Sequence, residues 1–229
     1  MSNWVIPPPA QTSVPVAGSD ALFPVRRIYC VGRNYEAHAR EMGGDPKRES
    51  PFYFMKPTDA LQLDGAAIPY PPRTANFHHE IEFVAALSSG GRDIKVADAL
   101  DHVFGYAVGN DLTRRDLQLA ARDKGRPWFT GKSFEHCATI SPIRPARTIG
   151  HPKQGRIWLT VNGAKRQDSD INCLIWNVAE VIADLSTYFE LRAGDLIYTG
   201  TPDGVGPLKV GDKVEGGIDG IGTLTNTIV

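Results

Sequence analysis

Short apolar segments interrupted by glycine and proline recur along the chain and limit what it can fold into. The 229 residues include 23 glycines and 17 prolines. Because both residues end or weaken regular elements, this spacing favours turns and short strands over long helices. The few helical segments do not alternate regularly with the strand-like ones, as they would in a doubly wound sheet. The sequence therefore predicts a single β-rich α+β domain.

The apolar pattern also predicts where the elements lie. Strands are expected at 27–32, 52–55, 66–69, 80–87, 103–109, 157–162, 165–168 and 195–200, with a last hairpin over 213–229. Helices are expected at 35–42, 96–100, 112–122 and 177–188, the last having the clearest amphipathic pattern. Residues 1–24 contain three consecutive prolines and are predicted to form an extended N-terminal arm or edge strand before the main domain at 25–229.

The composition limits which binding partners and which cellular compartment can be expected for this protein. The formal net charge is -1, which gives no global electrostatic reason to bind nucleic acid or an anionic membrane surface. No apolar run approaches the roughly 20 residues that cross a bilayer, and the N-terminus lacks the layout of a secretory signal. Three cysteines, Cys30, Cys137 and Cys173, form no CxxC pair. We therefore expect reduced thiols and a cytoplasmic location.

Two carboxylates stand out in the strand-like segment 80–87. Glu80 and Glu82 are two residues apart, so both side chains leave the same face of a strand. Two buried carboxylates repel each other unless a cation lies between them, and oxygen ligands suit Mg²⁺, Mn²⁺ or Ca²⁺. Asp111, after the next strand, is the candidate third ligand. A polar strand face without metal is the alternative, and His78 and His79 lack a second zinc-spaced pair.

A second cluster lies in the predicted helix 35–42. His38 and Glu41 are three residues apart, so they share a helix face and can form a hydrogen bond. A carboxylate beside an imidazole orients the ring and raises its basicity, as a general base requires. A solvated helix face with an incidental pair is the alternative.

A glycine-rich loop follows the strand at 195–200. The glycines of TGTPDGVGP (199–207) free backbone N–H groups to approach a ligand anion, and Thr201 adds a hydroxyl. A plain turn is an equal alternative. The loop is not a phosphate-binding GxxxxGK[ST] motif, and no GxSxG elbow of serine hydrolases occurs in the chain.

Taken together and in order, these motifs resemble one family. The segments are YCVGRNYEAHAREMG, FMKP, HHEIEFVAAL, GYAVGNDLTRRDLQ, GKSF, GDLIYTGTPDGVGP and EGGIDGIGTL, between residues 27 and 229. They are similar to those of fumarylacetoacetate hydrolase family proteins. The resemblance implies a β-rich mixed-sheet fold, a homodimer, and hydrolysis of a carbon–carbon bond in an acylpyruvate-type 2-oxo acid, with fumarylpyruvate as the expected substrate.

The resemblance also implies roles for individual residues. Mg²⁺ or Mn²⁺, with Ca²⁺ left open, is expected on Glu80, Glu82 and Asp111. Catalytic roles fall to His38 and Glu41, on a lid over the site, and to Lys132. The residues expected around the substrate are Arg33, Arg115, Gln118 and Thr201. Lys56 matches the family pattern and is expected to support the site.

Other readings of the same residues stay open. A metal-assisted site of this kind also suits decarboxylation of oxaloacetate or isomerisation of an unsaturated dioate. A non-catalytic binding protein on the same fold would be expected to have lost a metal ligand or Lys132, and neither is lost. The aromatic residues Phe52, Phe54 and Trp128 are candidates for the substrate pocket, although core packing is the commoner role of such side chains.

Overall fold

The computed structural model describes residues 4–37 and 49–229. Within them the strands are, in chain order, β1 (Ser13–Pro15), β2 (Leu22–Pro24), β3 (Arg27–Gly32), β4 (Phe52–Lys56), β5 (Leu61–Leu63), β6 (Ala67–Ile68), β7 (Phe77–His79), β8 (Ile81–Leu87), β9 (Val103–Asp111), β10 (Thr113–Arg114), β11 (Ala138–Ile140), β12 (Arg144–Pro145), β13 (Arg156–Val161), β14 (Ala164–Asp170), β15 (Asp195–Tyr198), β16 (Gly206–Pro207), β17 (Lys213–Ile218) and β18 (Gly222–Ile228). The α-helices are α1 (Arg115–Asp123), α2 (Phe129–Lys132), α3 (Ala146–Ile149) and α4 (Val178–Tyr188). Three 3₁₀ turns span Thr58–Ala60, Ala99–His102 and Ile171–Cys173.

The largest sheet has the strand order β4-β3-β15-β8-β9-β11-β5, and β12 also pairs with β9. Two of its pairings, β3 with β15 and β5 with β11, are parallel, whereas β8 pairs with β9 in antiparallel fashion. The predicted β-rich α+β fold with a mixed sheet is therefore confirmed. All seven residues of β8 are buried, which explains its nearly continuous apolar sequence.

A second sheet has the order β14-β13-β17-β18-β6 and packs its apolar side chains into the main core. Its two hairpins lie close to where the sequence predicts them. In the hairpin of β13 and β14, the turn residues Asn162 and Gly163 both have positive φ, of 52° and 76°. This is the backbone that a tight turn between twisted antiparallel strands requires.

The N-terminal segment forms a small hairpin of β1 and β2. Its residues Val14, Val16 and Phe23 are buried in a core cluster together with Ile28 of β3. The arm is thus attached to the main sheet by apolar packing. The boundary at residue 24 between arm and domain stays a prediction.

Helix α4 matches the predicted amphipathic helix. Val181, Ile182 and Leu185 are buried along one face. The helix begins after Asn177, whose side chain accepts a hydrogen bond from the backbone of Glu180, while the Glu180 side chain accepts one from the backbone of Asn177. This capping box satisfies two N–H groups that the helix cannot bond internally.

The predicted start of the helix at residue 112 is wrong. Thr113 and Arg114 form β10 and pair with β7, so the backbone there is extended and α1 begins at Arg115. Pairing with a distant strand overrides the local helical pattern. Within the described residues no helix is both long enough and apolar enough to span a membrane.

Candidate active site

The three predicted metal ligands meet where β8 begins and β9 ends. Glu80 immediately precedes β8, Glu82 is its second residue, and Asp111 is the last residue of β9 rather than lying just beyond it. The backbone N–H of Asp111 donates to the carbonyl of Glu80 at 2.8 Å, which fixes the two chain segments side by side. All three side chains are buried, and each offers a carboxylate oxygen within 4.8 Å of the other two.

Cationic side chains surround two of these carboxylates. The Nζ atom of Lys132 donates to Oε2 of Glu80 at 2.6 Å and to Oδ2 of Asp111 at 2.7 Å. The ammonium of Lys56 lies 2.7 Å from Oδ1 of Asp111 and donates to the carbonyl of Lys132 at 2.6 Å. Arg115 forms a buried ion pair with Glu80. Lys56 therefore lies beside the carboxylates, and its supporting role stays a prediction.

Glu82 is different. Its carboxylate accepts a hydrogen bond from the backbone N–H of Gly200 at 2.8 Å. No Lys, Arg or His nitrogen of the described ranges 4–37 and 49–229 lies within 4.0 Å of it. Burial, followed by repulsion from Asp111 and Glu80, raises the pKa of the Glu82 carboxyl well above the ordinary value of a glutamate. A divalent cation between the three carboxylates would remove both effects, so this donor set fits Mg²⁺ or Mn²⁺.

Gly200, in the glycine-rich loop, has a backbone conformation and a close packing contact that require glycine. Its φ is +100°, and a Cβ atom there would lie 2.8 Å from Cβ of Asn34. Only glycine fits this backbone and this close approach. Its N–H binds the protein carboxylate of Glu82, whereas the sequence suggested a ligand anion as the acceptor for the glycines of this loop.

A pocket opens from the carboxylates. Its wall includes the four residues predicted to surround a substrate, Arg33, Arg115, Gln118 and Thr201, together with Lys132. Gln118 is buried and its Oε1 accepts a hydrogen bond from Arg115, whereas Arg33 is exposed and has a positive φ of 56°. The structure thus brings these residues together around the carboxylates, and their roles remain proposals. His38 and Glu41 lie outside the described residues.

Aromatic residues form part of the pocket wall. Phe54 and Trp128 line the pocket, Phe54 also packs against a core cluster, and Phe52 contacts Trp128 with ring centroids 4.7 Å apart. Phe52 is 39% exposed. These side chains line a cleft beside β4, which is an edge strand of the main sheet within residues 4–37 and 49–229.

Sequence reasoning missed Gln167. Its Nε2 donates to Oγ1 of Thr201 at 2.8 Å, and its Oε1 accepts from the backbone N–H of Ile81 at 3.1 Å. Nδ1 of His79 lies 3.0 Å from the same Oε1. Burial lowers the pKa of His79 to about 4, so the ring is neutral near pH 7 and Nδ1 carries the proton that it donates. His79 is therefore structural, as its lack of zinc spacing suggests.

The family model for the C-terminal part of fumarylacetoacetate (FAA) hydrolase matches residues 27–229. The chain belongs to the fumarylacetoacetate hydrolase family. Among curated members of this family, a fumarylpyruvate hydrolase from Ralstonia sp is 50% identical over 184 residues, which cover 80% of this chain and 95% of the relative. A mitochondrial oxaloacetate tautomerase from Homo sapiens is 40% identical over 200 residues, covering 87% and 90% of the two chains.

A solved member of the family has nearly the same structure. The fumarylpyruvate hydrolase from Pseudomonas aeruginosa, crystallised in complex with Mn²⁺ and pyruvate, superposes with a TM-score of 0.97 at 53% identity and with 99% of each chain covered. The predicted family is confirmed. The chain is therefore an enzyme of a family whose similar members include fumarylpyruvate hydrolases, which act on carbon–carbon bonds, and the expected divalent metal is consistent with the Mn²⁺ of the solved relative.

Proposed function

We propose that this enzyme hydrolyses fumarylpyruvate to fumarate and pyruvate with a divalent cation, Mg²⁺ or Mn²⁺, held by Glu80, Glu82 and Asp111. The observation that carries the proposal is the buried group of three carboxylates at the inner end of a pocket lined by cationic side chains. Such a group is costly to bury without a metal. With a metal bound, the three carboxylates suit a substrate that has a 2-oxo acid at one end, because that end offers two oxygens to a hard cation.

The cation, when bound, supplies Lewis acidity at the 2-oxo acid end of the substrate. Side chains of the protein would position the substrate and donate hydrogen bonds to it. Lys132 bridges Glu80 and Asp111, and so places an ammonium next to the reacting region of the substrate. Because Oε1 of Gln118 accepts from Arg115, the Nε2 group of Gln118 is the part of the side chain that can donate to a substrate oxygen. Thr201 contributes a hydroxyl whose orientation is fixed by Gln167.

The reaction needs water and a base. A water molecule gives its proton to the base as its oxygen bonds to the carbonyl carbon of the fumaryl group. The bond between that carbon and the adjacent methylene then breaks, and the electron pair remains on the pyruvate fragment, which takes up a proton. We assign the base to His38, oriented by Glu41, from the resemblance to the family. Lys132 and Gln118 would stabilise the oxyanion that develops on the attacked carbonyl.

A second activity is favoured by one observation. The human relative that is 40% identical is an oxaloacetate tautomerase. The same carboxylates and Lys132 would serve proton transfer or decarboxylation at the methylene of oxaloacetate without an attacking water. The greater similarity to fumarylpyruvate hydrolases, at 50% and 53% identity, favours hydrolysis as the main activity.

Two further expectations, a homodimer and a cytoplasmic location, remain proposals, and we also propose a place for this enzyme in the catabolism of aromatic compounds. The homodimer is supported by exposed apolar side chains on β4 and α2, with Met55 39% and Phe129 68% exposed. Light scattering on the purified protein would determine the number of chains per particle.

The proposed reaction is tested by product analysis. The purified protein with Mn²⁺ would be given fumarylpyruvate, acetylpyruvate and oxaloacetate separately, and the products would be quantified. We expect equal amounts of fumarate and pyruvate from fumarylpyruvate, at a higher kcat/KM than for the other two. Turnover of oxaloacetate alone would leave the site in place and contradict the proposed reaction.

A further inference from the structure

One peptide unit beside the carboxylates, between Thr199 and Gly200, is hydrogen-bonded on both sides. Its N–H, which belongs to Gly200, donates to Oε2 of Glu82 at 2.8 Å. Its carbonyl, which belongs to Thr199, accepts a hydrogen bond from Nδ2 of Asn34, also at 2.8 Å. The C=O and N–H of a trans peptide lie in one plane and point in opposite directions. A group that holds the carbonyl therefore also sets the direction of the N–H.

The residues on either side of this peptide would not fix its orientation by themselves. Thr199 is anchored at its other end, where its N–H and its hydroxyl donate to the carbonyl of Phe83 at 3.0 and 2.7 Å. Gly200 has a φ of +100°, and because it lacks a Cβ it adopts positive and negative φ about equally readily. The peptide can therefore turn about the bonds that flank it, and the hydrogen bond from Asn34 opposes that rotation.

Asn34 is itself held in a single orientation. Its side chain is buried, with the residue 1% exposed. Besides its bond to Thr199, Nδ2 donates to the carbonyl of Trp176 at 2.8 Å, and Oδ1 accepts from the N–H of Trp176 at 2.8 Å. The backbone carbonyl of Asn34 accepts from the N–H of Ile175, also at 2.8 Å. Both donors of the amide and its oxygen are thus engaged, which gives the 199–200 peptide a fixed partner.

Glu82 is the carboxylate for which this peptide matters most. Lys132 donates to both Glu80 and Asp111. Glu82 has no cationic nitrogen within 4.0 Å among residues 4–37 and 49–229, and its Oε2 is held by the N–H of Gly200. Partners that orient a metal ligand strengthen metal binding, and their removal typically weakens it by about 10- to 100-fold. The direction of this one N–H therefore bears on the affinity of the whole site.

We propose that Asn34 is a positioning residue of the metal centre, which keeps the N–H of Gly200 directed at Glu82 and so strengthens binding of the divalent cation. This inference rests on the proposed function, because it takes Glu80, Glu82 and Asp111 as the metal ligands. Asn34 is not among the described residues that line the pocket, so its effect is on a metal ligand rather than on the substrate.

The test measures Mn²⁺ binding without turnover. Asn34→Ala and Asn34→Asp would be stripped of metal with a chelator, and free Mn²⁺ would be followed by electron paramagnetic resonance during a titration. We expect the Kd for Mn²⁺ to rise by about 10-fold in both variants. This is the lower end of the range for partners of metal ligands, because Asn34 acts through an intervening peptide.

The two variants differ in a useful way. Asn34→Asp keeps the size of the side chain and an acceptor for the N–H of Trp176, but it cannot donate to Thr199. Its added negative charge would by itself strengthen the attraction of a cation. Weaker binding in Asn34→Asp therefore points to the missing donor. Should Asn34→Ala fail to fold, Asn34→Asp carries the test.

Asn226→Ala is the matched control. Asn226 is 4% exposed, and its Nδ2 donates to the carbonyls of Leu63 and Ala66 at 3.2 and 3.0 Å. It resembles Asn34 in its burial and in its bonds to two backbone carbonyls, but it lies on β18 and does not line the pocket. Its replacement should lower the free energy of unfolding, as measured with denaturant, and leave the Kd for Mn²⁺ unchanged.

A double variant shows whether Asn34 acts through Glu82. In Glu82→Gln the charge that the peptide orients is already removed. Adding Asn34→Ala to it should weaken Mn²⁺ binding further by less than about 2-fold, since residues that act through one contact are not additive. A full 10-fold further loss would overturn the inference.

Two other results would also overturn it. One is the same Kd in the parent and in both Asn34 variants, and the other is an equal loss of affinity in Asn226→Ala. Failure of the proposed function is distinguishable from these results. In that case the parent would bind no Mn²⁺, or would bind it at this site without cleaving fumarylpyruvate, and only the first of these would also remove the role of Asn34.

Discussion

The side chain of Gln167 holds the hydroxyl of Thr201 in place, with 2.8 Å between Nε2 and Oγ1. Gln167 is fully buried and lies on β14, in a different sheet from the strand that precedes Thr201. Its second Nε2 hydrogen bond, to the carbonyl of Pro202 at 2.8 Å, fixes the loop itself. The five-stranded sheet thus positions one wall of the candidate active site.

Replacement of Gln167 by Leu should impair both the site and the fold. The change removes the partner of Thr201 and leaves the N–H of Ile81 without its acceptor. We expect a loss of about 1–3 kcal/mol in the free energy of unfolding and a drop in kcat/KM of at least ~10-fold through misplacement of Thr201. Denaturant unfolding and steady-state kinetics would measure the two effects. Gln154→Leu, at an exposed position, is the control; unchanged kcat/KM in Gln167→Leu would contradict a positioning role.

Lys132 should be essential for turnover. Lys132→Met removes the ammonium that bridges Glu80 and Asp111, together with the donor we assign to the developing oxyanion. We expect kcat to fall by at least ~10²-fold, with KM changing less. Lys165→Met is the control. The side chain of Lys165 is 64% exposed, so this variant should have normal kinetics. Near-normal kcat in Lys132→Met would show that the ammonium has only a structural role.

Stability and metal binding should be linked through pH. The folded-state pKa of Glu82 is raised, so above the ordinary pKa of a glutamate the folded state retains a proton that the unfolded state has lost. Stability without metal is therefore lost as pH rises through this window, and a divalent cation should restore it.

We expect the increase in Tm on adding Mn²⁺ to be larger at pH 8 than at pH 5. Thermal unfolding at both pH values would measure it, with Glu215→Gln, a partly exposed strand residue, as the control. The same increase at both pH values would be incompatible with proton release from these carboxylates.

The capping box of α4 gives a prediction about stability alone. Asn177→Ala removes the side-chain acceptor at the start of the helix. We expect the free energy of unfolding to fall by about 1 kcal/mol, with kcat/KM unchanged because Asn177 is not among the residues that line the candidate active site. Denaturant unfolding with a parallel activity assay would test this. A large loss of activity would indicate that α4 is coupled to the site.

Much of the metal centre could be predicted from local patterns. The spacing of Glu80 and Glu82 places both on one strand face wherever that strand lies, because side chains alternate with a period of two. Asp111 ends the next long strand, and β8 and β9 are neighbours in the sheet. Two adjacent antiparallel strands therefore suffice to bring the carboxylates together.

Other parts of the site depend on contacts between distant residues. Gln167 and Thr201 are 34 positions apart and meet only because the hairpin of β13 and β14 folds against the loop. Helix α2, which carries Lys132, contains Gly131 and has little helical propensity of its own. At Gly131 this helix packs closely against α1, since a Cβ atom there would lie 2.7 Å from the backbone nitrogen of Gln118. The local sequence pattern does not predict this close approach.

The central claim is that the three buried carboxylates hold a cation that the reaction requires. The most direct test is the rate of fumarylpyruvate cleavage as Mn²⁺ is titrated into enzyme that has been stripped of metal with a chelator. We predict no cleavage before addition, a rise that saturates at one equivalent per chain, and no such rise in Glu82→Gln. Full activity in the metal-free enzyme would contradict the account.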